Sequence, residues 1–225
     1  MSSRMHDRQL FAFDWDDVIA NRDRLRDAIR NLFLVAGVSS TVEEESYEAV
    51  KKKGGYAFRA HLREILRREP RLKDSAPALA KAFDTLLQEI DRLVYPDAER
   101  FLLRIYGHFP IAIVTSGDTD FQQRKVARSG IAQYADHLMF IEHRPQAFAA
   151  DKSRALGQLL ELYPRIFFFE DRTATISTVH KEHGKHGRIV PIRVDRKMQT
   201  TISYPNIIRH FDEFDLNHWM NLSSV

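Results

Sequence analysis

The 225-residue chain contains no cysteine. That excludes a disulfide scaffold, a thiolate zinc site and thiol catalysis, and suits a reducing cytosol without requiring one. No apolar run approaches the ~20 residues of a membrane span, and the start, MSSRMHDRQ, lacks the apolar core of a secretory signal. A cytoplasmic protein with no membrane partner is the expectation. Charge of one sign is missing too: 34 Lys+Arg stand against 31 Asp+Glu, a net +3 with acids and bases interleaved. This balance argues against a nucleic-acid partner. Internal repeats and low-complexity tracts are also lacking. A chain this long buries a real core, and at ~150 residues per domain it makes one domain with a sizeable insertion rather than two equal ones. A monomer or a homodimer is expected.

Five short runs rich in β-branched, aromatic and leucine residues are present: LFAFD (10–14), IAIVTS (111–116), HLMFIE (137–142), RIFFFED (165–171) and RIVPIRV (188–194). Apolar runs without alternation suit strands buried on both faces, hence a parallel sheet. Helix-like stretches separate the last four: Asp118 to Gly130, the segment DKSRALGQLLELYP from Asp151 to Pro164, and DRTATISTVHKEHG ending on Gly184. This alternation predicts an α/β, doubly wound parallel sheet.

The first gap differs, because almost a hundred residues between Asp14 and Ile111 read as nearly all helix. Leu25, Ile29, Leu32 and Phe33 form one apolar stripe, Phe58, Leu62, Ile65 and Leu66 a second, and Leu79, Phe83, Leu86, Leu87 and Ile90 a third. The block is too long for one crossover. It divides the chain into a core of residues 1–20 and 95–225 and a helical insertion of residues 21–94. After Pro205, NIIRHFDEF and NHWM predict a short amphipathic helix.

The first strand ends in FAFDWDDVIA, with Asp14, Asp16 and Asp17 inside four residues. In an extended chain Asp14 and Asp16 share a face while Trp15 turns away. The carboxyl end of a parallel strand is where such sheets bind ligands. Two carboxylates this close are tolerated if a cation lies between them, if one is protonated, or if both stay solvated. The second strand ends in Thr115-Ser116-Gly117-Asp118, hydroxyls and amides at a helix start that suit phosphate. Lys152 in ADKSRAL places a cation in the first turn of a helix, where the helix dipole disfavours it. Glu170-Asp171 follow a Phe-Phe-Phe run and can complete the oxygen shell of a hard cation.

The order DxD, Thr/Ser, Lys, acidic pair, each at a strand end or helix start, resembles the haloacid dehalogenase (HAD) superfamily. FDWDDVIA is similar to its signature hhhDxDx[TV], IAIVTSGD to its second motif, ADKSRAL to its third and IFFFED to its acidic fourth. The helical insertion after the first motif resembles a type-1 cap. The segment LVYPDAERFLLRIYGHFPIAIVTS looks like phosphoglycolate-phosphatase-like and β-phosphoglucomutase-like members. The likeness implies a HAD-like Rossmannoid core and a magnesium-dependent phosphohydrolase acting on a small phosphorylated metabolite. It assigns Asp14 as nucleophile and Asp16 as general acid and base. The likeness also implies that Thr115, Ser116 and Lys152 bind the phosphate, and that magnesium is held by Asp14, Asp16 through its carbonyl, and Asp171, with Glu170 as a further ligand or a partner behind it. Dehalogenating members have no acid at the position of Asp16 and need no metal, so its presence favours phosphate chemistry.

Asp17 stands where many members carry glycine, and Thr175 where a later acid of the fourth motif is common. These departures keep open a catalytically weak or inactive core used for binding or regulation. Phosphosugar mutase and phosphonate hydrolase chemistry share the same core. Substrate choice is expected in the insertion, where the basic, glycine-broken turn puts Lys53, Gly54, Tyr56 and Arg59 within reach of a leaving group. The alternative for this turn is a solvated helix-to-helix connection. His180, His183 and His186 are interleaved with Lys181, Glu182 and Lys185 and read as a polar surface rather than a metal site.

Overall fold

The computed structural model describes residues 9–183, 187–198 and 206–221. Six parallel strands form one sheet in the order β3-β2-β1-β4-β5-β6: β1 (Leu10–Phe13), β2 (Ile111–Gly117), β3 (His137–Glu142), β4 (Ile166–Glu170), β5 (Ile189–Val194) and β6 (Ile207–Ile208). Strand order reverses direction at β1 and β4, and the crevice beyond the carboxyl ends of strands at such a point is where this architecture takes ligands.

The four residues of β1 are all fully buried, because helices cover both faces of the strand. Alternate side chains go to opposite layers. Phe11 and Phe13 join Phe167, Phe169, Phe101, Phe211 and Phe214 on one face, with the Phe13 and Phe169 rings stacked 4.8 Å apart. Leu10 and Ala12 join Val114, Leu156, Phe168 and Val179 on the other. The register pairs Phe13 with both Ile113 and Phe169, so the residues just past them, Asp14, Val114-Thr115 and Glu170, emerge at one level. Trp15 turns into the Phe11 layer, 1% exposed.

Between β1 and β2 lie α1 (Arg22–Val35), α2 (Ser40–Lys51), α3 (Phe58–Arg68) and α4 (Ala76–Gln88), followed by α5 (Pro96–Ile105), which packs on the sheet. Asn21 and Ser39 cap α1 and α2 by accepting from the amides of Arg24 and Val42. The predicted stripes close a second core of their own, in which the Phe58 and Phe83 rings stack at 3.8 Å. Phe121, from α6 (Thr119–Arg128), is the sheet domain's contribution to that core.

Two expectations need correction. The helix of ADKSRAL, α7, spans Phe148–Leu159, so Lys152 sits in its second turn. Asp151 reads as a helix cap but is an ion-pair partner of Arg144 and Arg154. In the tail, Ile207-Ile208 pair with Arg193-Val194 as β6 rather than joining a helix; NHWM lies within α9 (Leu216–Asn221). The fourth-motif helix, α8, is described over Thr173–His183; its predicted stop at Gly184, His186 and Pro205 lie outside the described residues.

Candidate active site

Asp14 follows β1 directly, its amide donating to the Phe169 carbonyl at 2.9 Å, which places it beside the end of β4. One oxygen of each of Asp14, Glu170 and Asp171 lies within 4.8 Å of the others. Lys152 reaches into this cluster from α7, its ammonium 2.8 Å from Asp14 Oδ1 and 2.8 Å from Glu170 Oε2, and it is only 1% exposed. The ordinary surface lysine that a polar context would suggest is therefore excluded.

Three buried or half-buried carboxylates cluster where one ammonium pairs with two of them, and the imbalance is visible in their acidity. Burial and the charge of Glu170 outweigh Lys152 and push the Asp14 carboxyl up to about 7. Glu170 is raised by burial and by Asp171, against Lys152; Asp171 is raised by burial and by Asp14. Burial opposes the charge on Lys152, but Asp14 and Glu170 raise it further. Both Glu170 oxygens are taken, one by Lys152 and one by the Arg172 amide at 3.0 Å, whereas Asp171 Oδ1 is buried without a partner. An excess of convergent carboxylate oxygen with an unsatisfied atom fits a hard divalent cation. Thr115, 1% exposed at the end of β2, also has a hydroxyl without a partner.

Asp16 does not join the cluster. Its carboxylate is held by Lys125 of α6 at 2.6 and 2.9 Å and by Gln122 Nε2 at 3.2 Å. Burial would raise its pKa, but Lys125 and Gln122 hold it below the usual carboxylate range. The repulsion anticipated between Asp14 and Asp16 is thus relieved by a separate lysine for each.

Asp17 takes φ 61°, the left-handed region that favours glycine. Its carboxylate anchors that turn, lying 2.7 Å from Arg22 and 3.0 Å from Lys197. Thr175 is fully buried with an unpartnered hydroxyl, so it supplies no charge where an acid is common.

A cleft of about 520 Å³ lies between the insertion and the strand ends. Asp16, Ser116, Gly117 and Arg172 form its sheet side; Leu25, Arg26, Ile29, Tyr47, Lys51, Gly55 and Tyr56 form the other. Asp14 is 4% exposed and does not line it. Of the residues expected to read substrate, Tyr56 lines the cleft, while Lys53 and Gly54 line a separate depression with Arg63 and Glu64, and Arg59 is exposed on α3. The glycine-broken turn does meet the sheet domain: a side chain on Gly55 would place Cβ 3.1 Å from that of His143.

Several lining residues escape the motif reading. Lys125 was discoverable as a charge four residues after Phe121 and next to Val126, inside a buried helical stripe. Arg172 directly follows the acidic pair, and among the described residues its guanidinium has no carboxylate partner; it lies 5.1 Å over the Phe148 ring. Burial, Arg172 and Lys152 together lower the basicity of nearby His143. Arg26 faces the cleft but is held bidentate by the buried Glu43 at 2.7 and 2.9 Å.

This arrangement, acids at β1 and β4 with a lysine between them and an insertion above, agrees with a family model described as haloacid dehalogenase-like hydrolase, which matches residues 9–178. The chain belongs to that family. The hydrolase resembles solved structures over nearly its whole length: a haloacid dehalogenase-like hydrolase from Burkholderia xenovorans LB400 at 20% identity, covering 96% of this chain and 99% of that one, TM-score 0.72. The HAD-hydrolase YfnB from Bacillus subtilis, bound to magnesium, is similar at 16% identity, 96% and 99% coverage and TM-score 0.61. L-2-haloacid dehalogenase from Xanthobacter autotrophicus, with chloropropionic acid covalently bound, is similar at 17% identity, 84% and 78% coverage and TM-score 0.51. At these identities the likeness is one of fold. No curated protein matches the hydrolase in sequence. Among its described residues no helix is long and apolar enough to cross a membrane.

Proposed function

We propose that this hydrolase is a magnesium-dependent phosphatase that cleaves a small phosphomonoester through a phosphorylated Asp14. The observation that carries the reading is the Asp14, Glu170 and Asp171 cluster, three carboxylates around one ammonium, beside a cleft that presents Asp16. Asp14 and Asp171 would hold the cation, with the carbonyl of Asp16. Both Glu170 oxygens already accept a hydrogen bond, from Lys152 and from the Arg172 amide, and its role is to fix Lys152. Bound there, magnesium would supply positive charge to a phosphoryl group that an anionic nucleophile must approach.

In the first half-reaction Asp14 attacks phosphorus, the bond from phosphorus to the leaving oxygen breaks, and Asp16 donates a proton to that oxygen. In the second, Asp16 takes a proton from water as the water attacks phosphorus, releasing inorganic phosphate and free Asp14. The resting Asp16 is already in the base form. The negative charge of a bound phosphoester opposes its ionisation and favours the protonated form the first half needs. Phosphoryl transfer is mostly positioning and electrostatics. Lys152 opposes protonation of Asp14, the unpartnered Thr115 hydroxyl and Ser116 bind phosphoryl oxygens, and Arg172 adds a guanidinium on the cleft side.

The same carboxylates could serve a mutase or a phosphonate hydrolase, and product analysis separates these. Phosphate release from a panel of phosphoesters, with and without magnesium, tests the reading. Release that needs magnesium and Asp14 supports it; release unchanged in Asp14→Asn or in chelator would refute it.

A further inference from the structure

Asp16 is the carboxylate of the first-strand motif that faces the cleft, and α6 holds it from behind. Lys125, 2% exposed, contacts both oxygens, at 2.6 and 2.9 Å. Asp16 is its sole carboxylate partner among the described residues, and the Phe121 ring lies 5.1 Å from the ammonium. Gln122, 5% exposed, donates to Oδ2 of Asp16 at 3.2 Å and to the Ser116 carbonyl at 3.3 Å. It lies across Gly117 so closely that a Cβ there would be 2.4 Å from its Nε2 and 2.9 Å from its Cγ. Gly117 is therefore open ground that lets Gln122 reach Asp16.

Burying a lysine is costly unless it is well paired, and an apolar residue of similar volume would serve packing as well. What three hydrogen bonds to two oxygens do supply is a single orientation for an otherwise free side chain. Catalytic groups held within a fraction of an ångström of their working geometry gain rate from that order. The same contacts keep Asp16 out of the acid cluster, where a fourth carboxylate would compete for the cation.

We propose that Lys125 and Gln122 are positioning residues that fix Asp16 toward the leaving oxygen of the substrate. The inference rests on the reading of Asp16 as the group that serves that oxygen. Proton delivery matters most when the leaving group is a poor one. In the first half-reaction, which kcat/KM reports, loss of the clamp should therefore be felt on an alkyl phosphate and hardly at all on an activated aryl phosphate. A merely structural role would lower both alike.

The test compares kcat and KM of the full chain on an alkyl phosphate and on 4-nitrophenyl phosphate, with magnesium, after circular dichroism shows that each variant is folded. Lys125→Met should lower kcat/KM on the alkyl ester on the order of 100-fold and on the aryl ester less than ~5-fold. Lys125→Arg should recover most of the loss. If Lys125→Met does not fold, Gln122→Leu should show the same selectivity at about 10-fold. Equal losses on the two substrates, or none, would overturn the inference. Asp16→Asn is the control: without leaving-group selectivity there, the reading of Asp16 itself falls. Selectivity in Asp16→Asn but in neither clamp variant removes the clamp alone.

Discussion

Lys152 lies 2.8 Å from Asp14 Oδ1, and the two side chains are almost completely buried. The lysine is shared with Glu170, so its single positive charge cannot balance both acids, and the excess carboxylate is what marks the site for a cation. Removing the ammonium would leave two acids buried without a counter-charge. Lys152→Met should destabilise the metal-free protein by ~3–5 kcal/mol, the range for breaking a buried pair, measured by urea unfolding. Lys152→Met combined with Glu170→Gln should regain part of that stability but none of the activity.

Arg172 faces the cleft without a carboxylate partner among the described residues. A charge-assisted hydrogen bond is worth ~1.5–3 kcal/mol, so Arg172→Ala should weaken phosphoester binding about 10-fold or more. Inhibition by inorganic phosphate measures this without turnover. An unchanged inhibition constant would remove Arg172 from phosphate binding.

Asp17 occupies a left-handed backbone position, where glycine is free and alanine strained. Asp17→Gly and Asp17→Ala both lose the contacts to Arg22 and Lys197, so their difference isolates the backbone. Asp17→Gly should be the more stable by ~1 kcal/mol, read from thermal or urea unfolding. Equal stability would mean that the turn relaxes.

His61 is fully buried in the insertion, 3.3 Å from the Glu43 carbonyl and 3.2 Å from the Tyr56 hydroxyl. Burial lowers its pKa from the usual 6.5 to about 4. The unfolded chain therefore binds the extra proton first. Stability is complete above pH ~6.5 and falls by up to ~3 kcal/mol as pH drops toward ~4. His61→Asn should flatten that part of the stability profile between pH 7 and 5. Identical slopes would show that other groups carry the acid sensitivity.

The sheet was legible because its strands are apolar on both faces, and the five predicted runs match β1 to β5 to within a residue or two at each end. β6 was hidden because Ile207-Ile208 have no pattern of their own and are ordered by pairing with Arg193-Val194. Asp14, Glu170 and Asp171 could be brought together from sequence, since parallel strands bring their ends to one level. Lys152 was placed one turn early because Asp151 imitates a cap while pairing with Arg144. Lys125 stands out only as a charge within the apolar stripe of α6, and the partners of Lys125, Gln122 and Arg172 depend on which way α6 and the start of α8 face, which packing decides. Of the glycine-broken turn, Gly55 and Tyr56 line the cleft, whereas Lys53 lines another depression, a division that depends on how the turn packs.

The central claim is that Asp14 and the acids beside it perform magnesium-dependent phosphoryl transfer. The most direct measurement is phosphate release from a phosphoester panel by the intact protein in chelator and after magnesium is restored, run beside halide release from 2-haloacids. The account predicts phosphate release that disappears with chelation, returns with magnesium and is absent in Asp14→Asn, with no halide released. Metal-independent halide release without phosphate release would contradict it.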